Sequence, residues 1–381
     1  MKAILVLEDG TSFEGISIGE EGERFGEVVL NTSVVGYQEF MTDPANAGKI
    51  LVLTYPLIGN YGIAKKFNES KKCWLGGLAI ARESRIRSNW QSESSLGEFL
   101  KSEGISALSE IDTRSIALAI RDKGEMFAMI STKSNNRSEL VSRLKSYKIS
   151  VKKNYISDIS VKKPTQVTTG LKGPDVAIID LGMTNGFIKQ LKTLGCNLTL
   201  LPYDTDAAAI LAIKPDGVIV SNGPEDDDAI NKIADAVKGI LGKVPLFGIS
   251  TGNEIIGLAL GIKRKRMKSG HHGANYPVLN EKSFKGEITV QNHSYVLDEG
   301  SFKSGKRDIW ISMRNVNDGT IEEIESRALR FIGVQYYPVS PGFDEVNGAF
   351  KRFISMMPSR KSSVKKNTRV SAGEEVQYAK A

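Results

Sequence analysis

Val244-Pro245-Leu246-Phe247-Gly248-Ile249-Ser250-Thr251-Gly252-Asn253-Glu254, running on into Ile255-Ile256-Gly257-Leu258, decides the fold of the second half of this chain. A short β-rich run ends at Ser250, and a helical run starts directly after it. A strand-turn-helix elbow of this kind holds its central side chain at the carboxyl end of a strand, the build of a nucleophile site. Upstream the alternation repeats. Val176 to Asp180 reads as a buried strand, and Phe187, Leu191 and Leu194 line one face of a helix. Leu198 to Leu201 reads as a second strand, Ile210 to Ile213 as helix, and Gly217 to Val220 as a third strand. Strands alternating with helices predict a doubly wound, mostly parallel sheet with helices on both faces and ligands at the carboxyl ends of its strands. Ser221-Asn222-Gly223-Pro224 and Ser250 both fall there.

A serine hydroxyl is a poor nucleophile at neutral pH unless a neighbouring base takes its proton, so the partner of Ser250 decides what the elbow can do. The chain holds three histidines, and two of them are the adjacent His271 and His272. Adjacent side chains on a strand point to opposite faces, so one metal ion does not readily take both. Packing and hydrogen-bonding roles are the reading for that pair. Cys73 and Cys196 are the only cysteines, which excludes a disulfide framework, and Cys196 reads as a buried thiol between a helix and a strand.

At 381 residues, with 40% hydrophobic and 25% charged residues, the chain is long enough for two ordinary globular domains. The opening apolar run, Ala3 to Leu7, is too short for a signal peptide, and nothing approaches the length of a membrane span, so the expectation is a cytoplasmic protein. Of the formal net charge of +7, the stretch from Pro358 onward supplies +4. That placement reads as a basic, disordered tail over 358–381 and argues against a nucleic-acid site. The cluster Lys263-Arg264-Lys265-Arg266-Met267-Lys268 has no interleaved aromatics, and it reads as a solvated face or a protein contact on a short strand.

Residues 1–150 read as strands with tight turns followed by helices, an α+β half. Ala3 to Leu7, Val28 to Leu30 and Ile50 to Tyr55 are its β-rich runs, and Leu96 to Lys101 and Arg114 to Arg121 its helices. Asp112 reads as a helix N-cap, and Gly36 and Gly59 as turn glycines. Residues 151–174 read as a linker, and 175–357 as the α/β domain.

The motifs of this chain resemble a known family. The elbow is similar to the Gly-Ile-Cys-Leu-Gly-His-Gln of class I glutamine amidotransferases. Leu7-Glu8-Asp9-Gly10, Asn31-Thr32-Ser33, Gly36-Tyr37-Gln38-Glu39, Thr42-Asp43-Pro44, Thr54-Tyr55-Pro56, Ile58-Gly59-Asn60 and Ile111-Asp112-Thr113-Arg114 resemble, in order, the first domain of the small subunit of carbamoyl-phosphate synthetase. Gly270-His271-His272-Gly273 with Asn275 and Pro277, and Ser340-Pro341-Gly342, follow the same family.

That resemblance implies a catalytic cysteine where this chain has Ser250, a general base where it has Tyr337, and an orienting carboxylate where it has Val339. It also implies an eroded glutamine pocket. Ala45 replaces a serine, Gly223 is kept, and Glu225 replaces a second glycine. Thr251 and Glu254 replace a leucine and a glutamine of the elbow. In the family's Gln-Asn-His-Gly-Phe, Asn292 is kept while Ser294 and Tyr295 replace the glycine and phenylalanine. A carboxylate at 225 is expected to oppose the negative charge that develops during hydrolysis.

The expected protein is thus a small subunit, serving arginine or pyrimidine synthesis, whose glutaminase site is dead. Its partner would be the large synthetase subunit, which would hold ATP, bicarbonate and magnesium and use ammonia from solution. No metal or cofactor is expected on this chain. Two alternatives stay open: a residual amidase that uses Ser250, and a sensor whose altered pocket holds another ligand.

Overall fold

Strands Lys2–Leu7, Ser12–Ser17, Glu23–Asn31, Ile50–Leu53, Gly77–Ile80, Ser106–Ser109 and Phe127–Ser131 close into a barrel in the computed structural model, which describes residues 1–151, 153–302, 308–342 and 345–358. The first and last strands close it by antiparallel pairing. Alternation sorts the side chains. Leu5, Leu7, Val28, Ile50, Val52, Ala79 and Ile130 share one buried cluster, while Val29, Leu51, Leu53, Leu78 and Ile80 pack with Phe40, Met41, Leu96 and Leu100 in another. The helix Leu96–Ser102 starts at a Ser95/Glu98 capping box, and Thr113–Lys123 starts at Asp112, whose carboxylate accepts from the Ser115 amide at 2.9 Å. Closure into a barrel was not legible in the sequence, because it depends on which edges meet and not on any one segment.

The expected linker is partly structured. It carries the helix Tyr155–Ile159 and the strand Thr165–Val167, which forms one edge of a ten-stranded sheet. From that edge the sheet runs through Asn197–Leu201, Asp175–Ile179, Gly217–Val220, Leu246–Ile249 and Phe331–Val334, and these five strands pair in parallel. Helices cover both faces. Ile230–Ile240 and Thr251–Ala259 pack on one, and Asn185–Thr193 and Gly348–Ser355 on the other.

Beyond the parallel core the sheet continues as an antiparallel wing of Ile321–Ser326, Trp310–Asn315, Arg264–Asn280 and Gly286–Leu297. Among the described residues no crossover helix separates these strands, and they pair antiparallel. The basic cluster opens a strand of 17 residues, not a short one. Its reading as a solvated face is corrected at two positions, since Arg264 pairs with the buried Glu254 and Arg266 pairs with Glu27 across to the barrel. Both cysteines are buried and free. Among the described residues no helix is long and apolar enough to cross a membrane. Apart from Pro358, the expected tail lies outside the described residues.

Candidate functional site

Three parallel strands end side by side. Gly217–Val220 delivers Asn222 and Gly223, Leu246–Ile249 delivers Ser250, and Phe331–Val334 delivers Gln335 and Tyr337. Ser250 holds φ 53° and ψ −112°. A non-glycine residue at such a φ costs on the order of 1–3 kcal/mol and persists only where its surroundings over-determine it. They do so here. The Ser250 amide donates to the Val334 carbonyl of the next strand at 2.7 Å, and its carbonyl accepts from the Asn253 amide at 2.8 Å to start the helix. Gly252 lies so close to the neighbouring strand end that a Cβ would sit 2.0 Å from the Val220 carbonyl oxygen. The Thr251 hydroxyl donates to the Gly223 carbonyl at 2.6 Å, tying the elbow to the glycine loop. The elbow is intact around a buried serine.

The residue at the base position faces elsewhere. The Tyr337 hydroxyl donates to Asp43 Oδ2 at 2.8 Å, and Asp43 comes from the barrel half of the chain. The same carboxylate accepts from the Asn292 amide at 2.9 Å, the Ala45 backbone amide at 3.0 Å and the Asn222 amide at 3.4 Å. Burial first, and the neighbouring Asp43 second, push the Tyr337 hydroxyl well above its ordinary range, while burial pushes the Asp43 carboxyl up. Tyr337 therefore keeps its proton and directs it at Asp43.

No imidazole takes its place. His271 contacts Gln291 and Asp318, His272 contacts Asn292, Glu125 and Ser294, and His293 contacts Gln291 and the Tyr295 carbonyl. Val339, at the expected carboxylate position, is 37% exposed and lines a cavity of about 260 Å³ together with Glu69, Gln190 and Ser340.

The pocket positions have closed on one another. The Glu225 carboxylate, buried, accepts from the Ser294 amide at 2.7 Å and the Tyr295 amide at 3.3 Å. Burial first, and the charge of Glu254 beside it second, push the Glu225 carboxyl well up. Arg264 meets the Glu254 carboxylate at 3.1 Å and the Glu225 carbonyl, and its guanidinium lies 4.3 Å from the centre of the Tyr295 ring. Gln335 donates to Glu254 at 3.1 Å and to the Tyr295 carbonyl at 3.2 Å. A cavity of about 40 Å³ at the seam is lined by Ala45 and Glu225 but not by Ser250. The expectation placed Glu225 against developing charge on a substrate; the structure puts its carboxylate on two backbone amides.

The structure brings Ser250, Tyr337, Glu225, Glu254, Asn292, Ser294 and Tyr295 into one region and adds Asp43 and Asn222, neither of which the sequence reading named as a site residue. Both stood inside quoted strings, Thr42-Asp43-Pro44 and Ser221-Asn222-Gly223-Pro224. A signal for Asp43 existed, since a carboxylate two residues before a pocket position is within reach of whatever that pocket holds.

Comparison with known proteins matches both halves. The profile described as carbamoyl-phosphate synthase small chain, CPSase domain, matches residues 5–130, and that of class-I glutamine amidotransferase matches residues 177–354. The carbamoyl phosphate synthase small chain of Staphylococcus saprophyticus is 38% identical over 362 residues, which is 95% of this chain and 97% of that one. The small chain of Clostridium acetobutylicum is 39% identical over 93% of this chain and 100% of its own. The pyrimidine-specific small chain of Bacillus subtilis is 38% identical over 94% of this chain and 96% of its own.

Proposed function

The chain belongs to the carbamoyl phosphate synthase small-chain family, and from that premise we propose that it is a small chain whose amidotransferase half no longer hydrolyses glutamine. It serves as a structural or regulatory partner of a large subunit. That subunit binds ATP, bicarbonate and magnesium and takes its ammonia from solution.

Glutamine hydrolysis at a class I elbow needs a nucleophile that loses its proton and an acid that returns one to the leaving ammonia. A histidine performs both transfers when its pKa lies near the working pH. The observation that carries this reading is the Tyr337 hydroxyl, held protonated and hydrogen-bonded to Asp43 at 2.8 Å. Loss of one triad member can lower kcat by about 10⁶, and further losses are not additive. The Glu225 carboxylate on the Ser294 and Tyr295 amides supports the same reading, because it fills positions that a substrate would need.

The test is a steady-state ammonia assay with glutamine, on the protein alone and with its cognate large subunit. The expected rate equals that of Ser250→Ala. A rate clearly above that control overturns the proposal.

A further inference from the structure

His271 and His293 stand opposite each other on the antiparallel strands Arg264–Asn280 and Gly286–Leu297, so their rings leave the sheet on the same face. The ring centroids lie 5.0 Å apart. Glu322, fully buried on Ile321–Ser326, reaches the same point, and one donor atom from each of the three lies within 4.8 Å of the others. His271 Nδ1 is 3.8 Å from Glu322 Oε1. His272, next in sequence, makes its contacts with Asn292 and Glu125 instead, as strand alternation requires. The cluster thus uses one histidine from each strand rather than the adjacent pair.

The outer contacts of these rings are those of metal-binding histidines. A ligating imidazole gives its other N–H to a carboxylate or a backbone carbonyl, which fixes its tautomer and orientation. His271 Nε2 lies 3.0 Å from Asp318 Oδ2, and His293 Nδ1 lies 2.9 Å from the Tyr295 carbonyl oxygen. Both partners can only accept, so each outer nitrogen carries the hydrogen. The inner nitrogens, His271 Nδ1 and His293 Nε2, converge on the amide end of Gln291 at 2.9 and 2.7 Å. The atom facing both rings is the amide oxygen, and the Asn315 amide also lies 3.5 Å from His271 Nδ1; lone pairs of two rings and an oxygen aimed at one point call for a turned amide, a ring proton or a cation. Among the described residues Glu322 Oε2 is buried without a hydrogen-bond partner. The other oxygen accepts from the Asn315 amide at 2.9 Å, and the orphan one calls for a proton, a water or a cation to complete it.

We propose that His271, His293 and Glu322 form a binding site for a divalent cation of the zinc type, with the Gln291 amide oxygen, which already faces both rings, as a fourth donor. Two imidazoles and oxygen donors suit zinc. Bonds of about 2.0–2.1 Å around a tetrahedral ion set donor atoms about 3.3 Å apart, so the cluster closes by up to about 1.5 Å on binding through side-chain rotation. Every donor is buried, so the ion would be structural, clamping the hairpin of the antiparallel wing to the strand that carries Glu322.

The experiment loads the full-length protein, freed of metal by chelation, with zinc or with cobalt(II). The expected result is one bound ion per chain, a raised melting temperature with zinc, and the visible absorption of near-tetrahedral cobalt. With only three histidines in the chain, the assignment is direct. His293→Asn and His271→Asn should abolish binding, Glu322→Gln and Asp318→Asn should weaken it by about 10–100-fold, and His272→Asn should retain it. Should the asparagine variants not fold, histidine ¹⁵N shifts of the wild-type protein on zinc addition decide the matter, with His293 Nε2 and His271 Nδ1 expected to move. No uptake at micromolar zinc, uptake unchanged in His293→Asn, or unmoved ring nitrogens would each overturn the proposal.

Discussion

Replacing Tyr337 with phenylalanine removes one oxygen and leaves the ring in place against Phe187, 5.5 Å away between centroids. The lost oxygen donates to Asp43 at 2.8 Å and accepts from Asn222 and Asn292 at 3.4 and 3.5 Å. A hydrogen bond to an ionised group contributes about 1.5–3 kcal/mol, and a neutral one about 1 kcal/mol. Which value applies depends on the state of Asp43. Burial raises its carboxyl, so the folded protein holds that proton to higher pH than the unfolded chain does, and this group's stabilisation is lost as pH rises through the folded value. Taking away Tyr337 removes a donor that favours the ionised carboxylate, so the carboxyl rises further and the loss steepens. The expected cost is about 1 kcal/mol at a low pH where Asp43 keeps its proton and about 2–3 kcal/mol at a high pH where it is ionised. For a unit of about 200 residues the larger value lowers the melting temperature by about 4–12 °C. Calorimetry at both pH values, with Asp43→Asn and the double variant completing a cycle, measures it. A cycle that is additive at both pH values, or equal melting of variant and wild type, refutes the view that this contact joins the two halves of the chain.

Glu69 caps the helix Asn185–Thr193 from the barrel half, accepting from the Gly186 amide at 2.8 Å, and burial raises its carboxyl to about 7. Stability should therefore fall as pH rises from the ordinary carboxylate range through about 7, and Glu69→Gln, which keeps an acceptor, should stabilise the protein by at most about 3 kcal/mol above that window and not below it, read as melting temperature against pH. Ser250→Cys alone should stay silent as a glutaminase, and Ser250→Cys with Tyr337→His should stay weak. Adding Val339→Glu and Glu225→Gly to that pair should raise ammonia release at least about tenfold, equivalent to about 1.4 kcal/mol of barrier; appreciable activity in the single cysteine variant would show that another base serves the site. The full-length protein should co-elute with its cognate large subunit at micromolar concentrations in gel filtration, and separate peaks would count against the partner assignment.

What the sequence carried was local. The elbow at Ser250, the buried runs around Val176, Leu198 and Val218, and the cap at Asp112 are each set by residues within a few positions of one another, so periodicity and turn chemistry expose them. The missing parts are long-range. Asp43 and Tyr337 are 294 positions apart, and Glu225 and Ser294 are 69 apart. No spacing rule relates such pairs. Arg264 and Arg266 were misread for the same reason, since a run of basic residues looks solvated until the acids that face it are known.

The glycines around the elbow mark the positions that packing alone fixes. Gly223 is kept from the family's pocket, yet a Cβ there would lie 2.2 Å from the Leu181 carbonyl oxygen, and one at Gly252 would lie 2.0 Å from that of Val220. Those contacts are with backbone and exist without any substrate, so packing alone requires glycine at both positions. Position 225 is free of that demand. Its side chain reaches the Ser294 and Tyr295 amides, and its backbone carbonyl meets Arg264, so a carboxylate there is accommodated by the fold while it occupies the pocket. The strained Ser250 backbone is held in the same way, by its hydrogen bonds with Val334 and Asn253. Packing thus fixes glycine at 223 and 252, while Glu225 and Tyr337 are held by partners that the fold itself supplies, the Ser294 and Tyr295 amides and the Asp43 carboxylate.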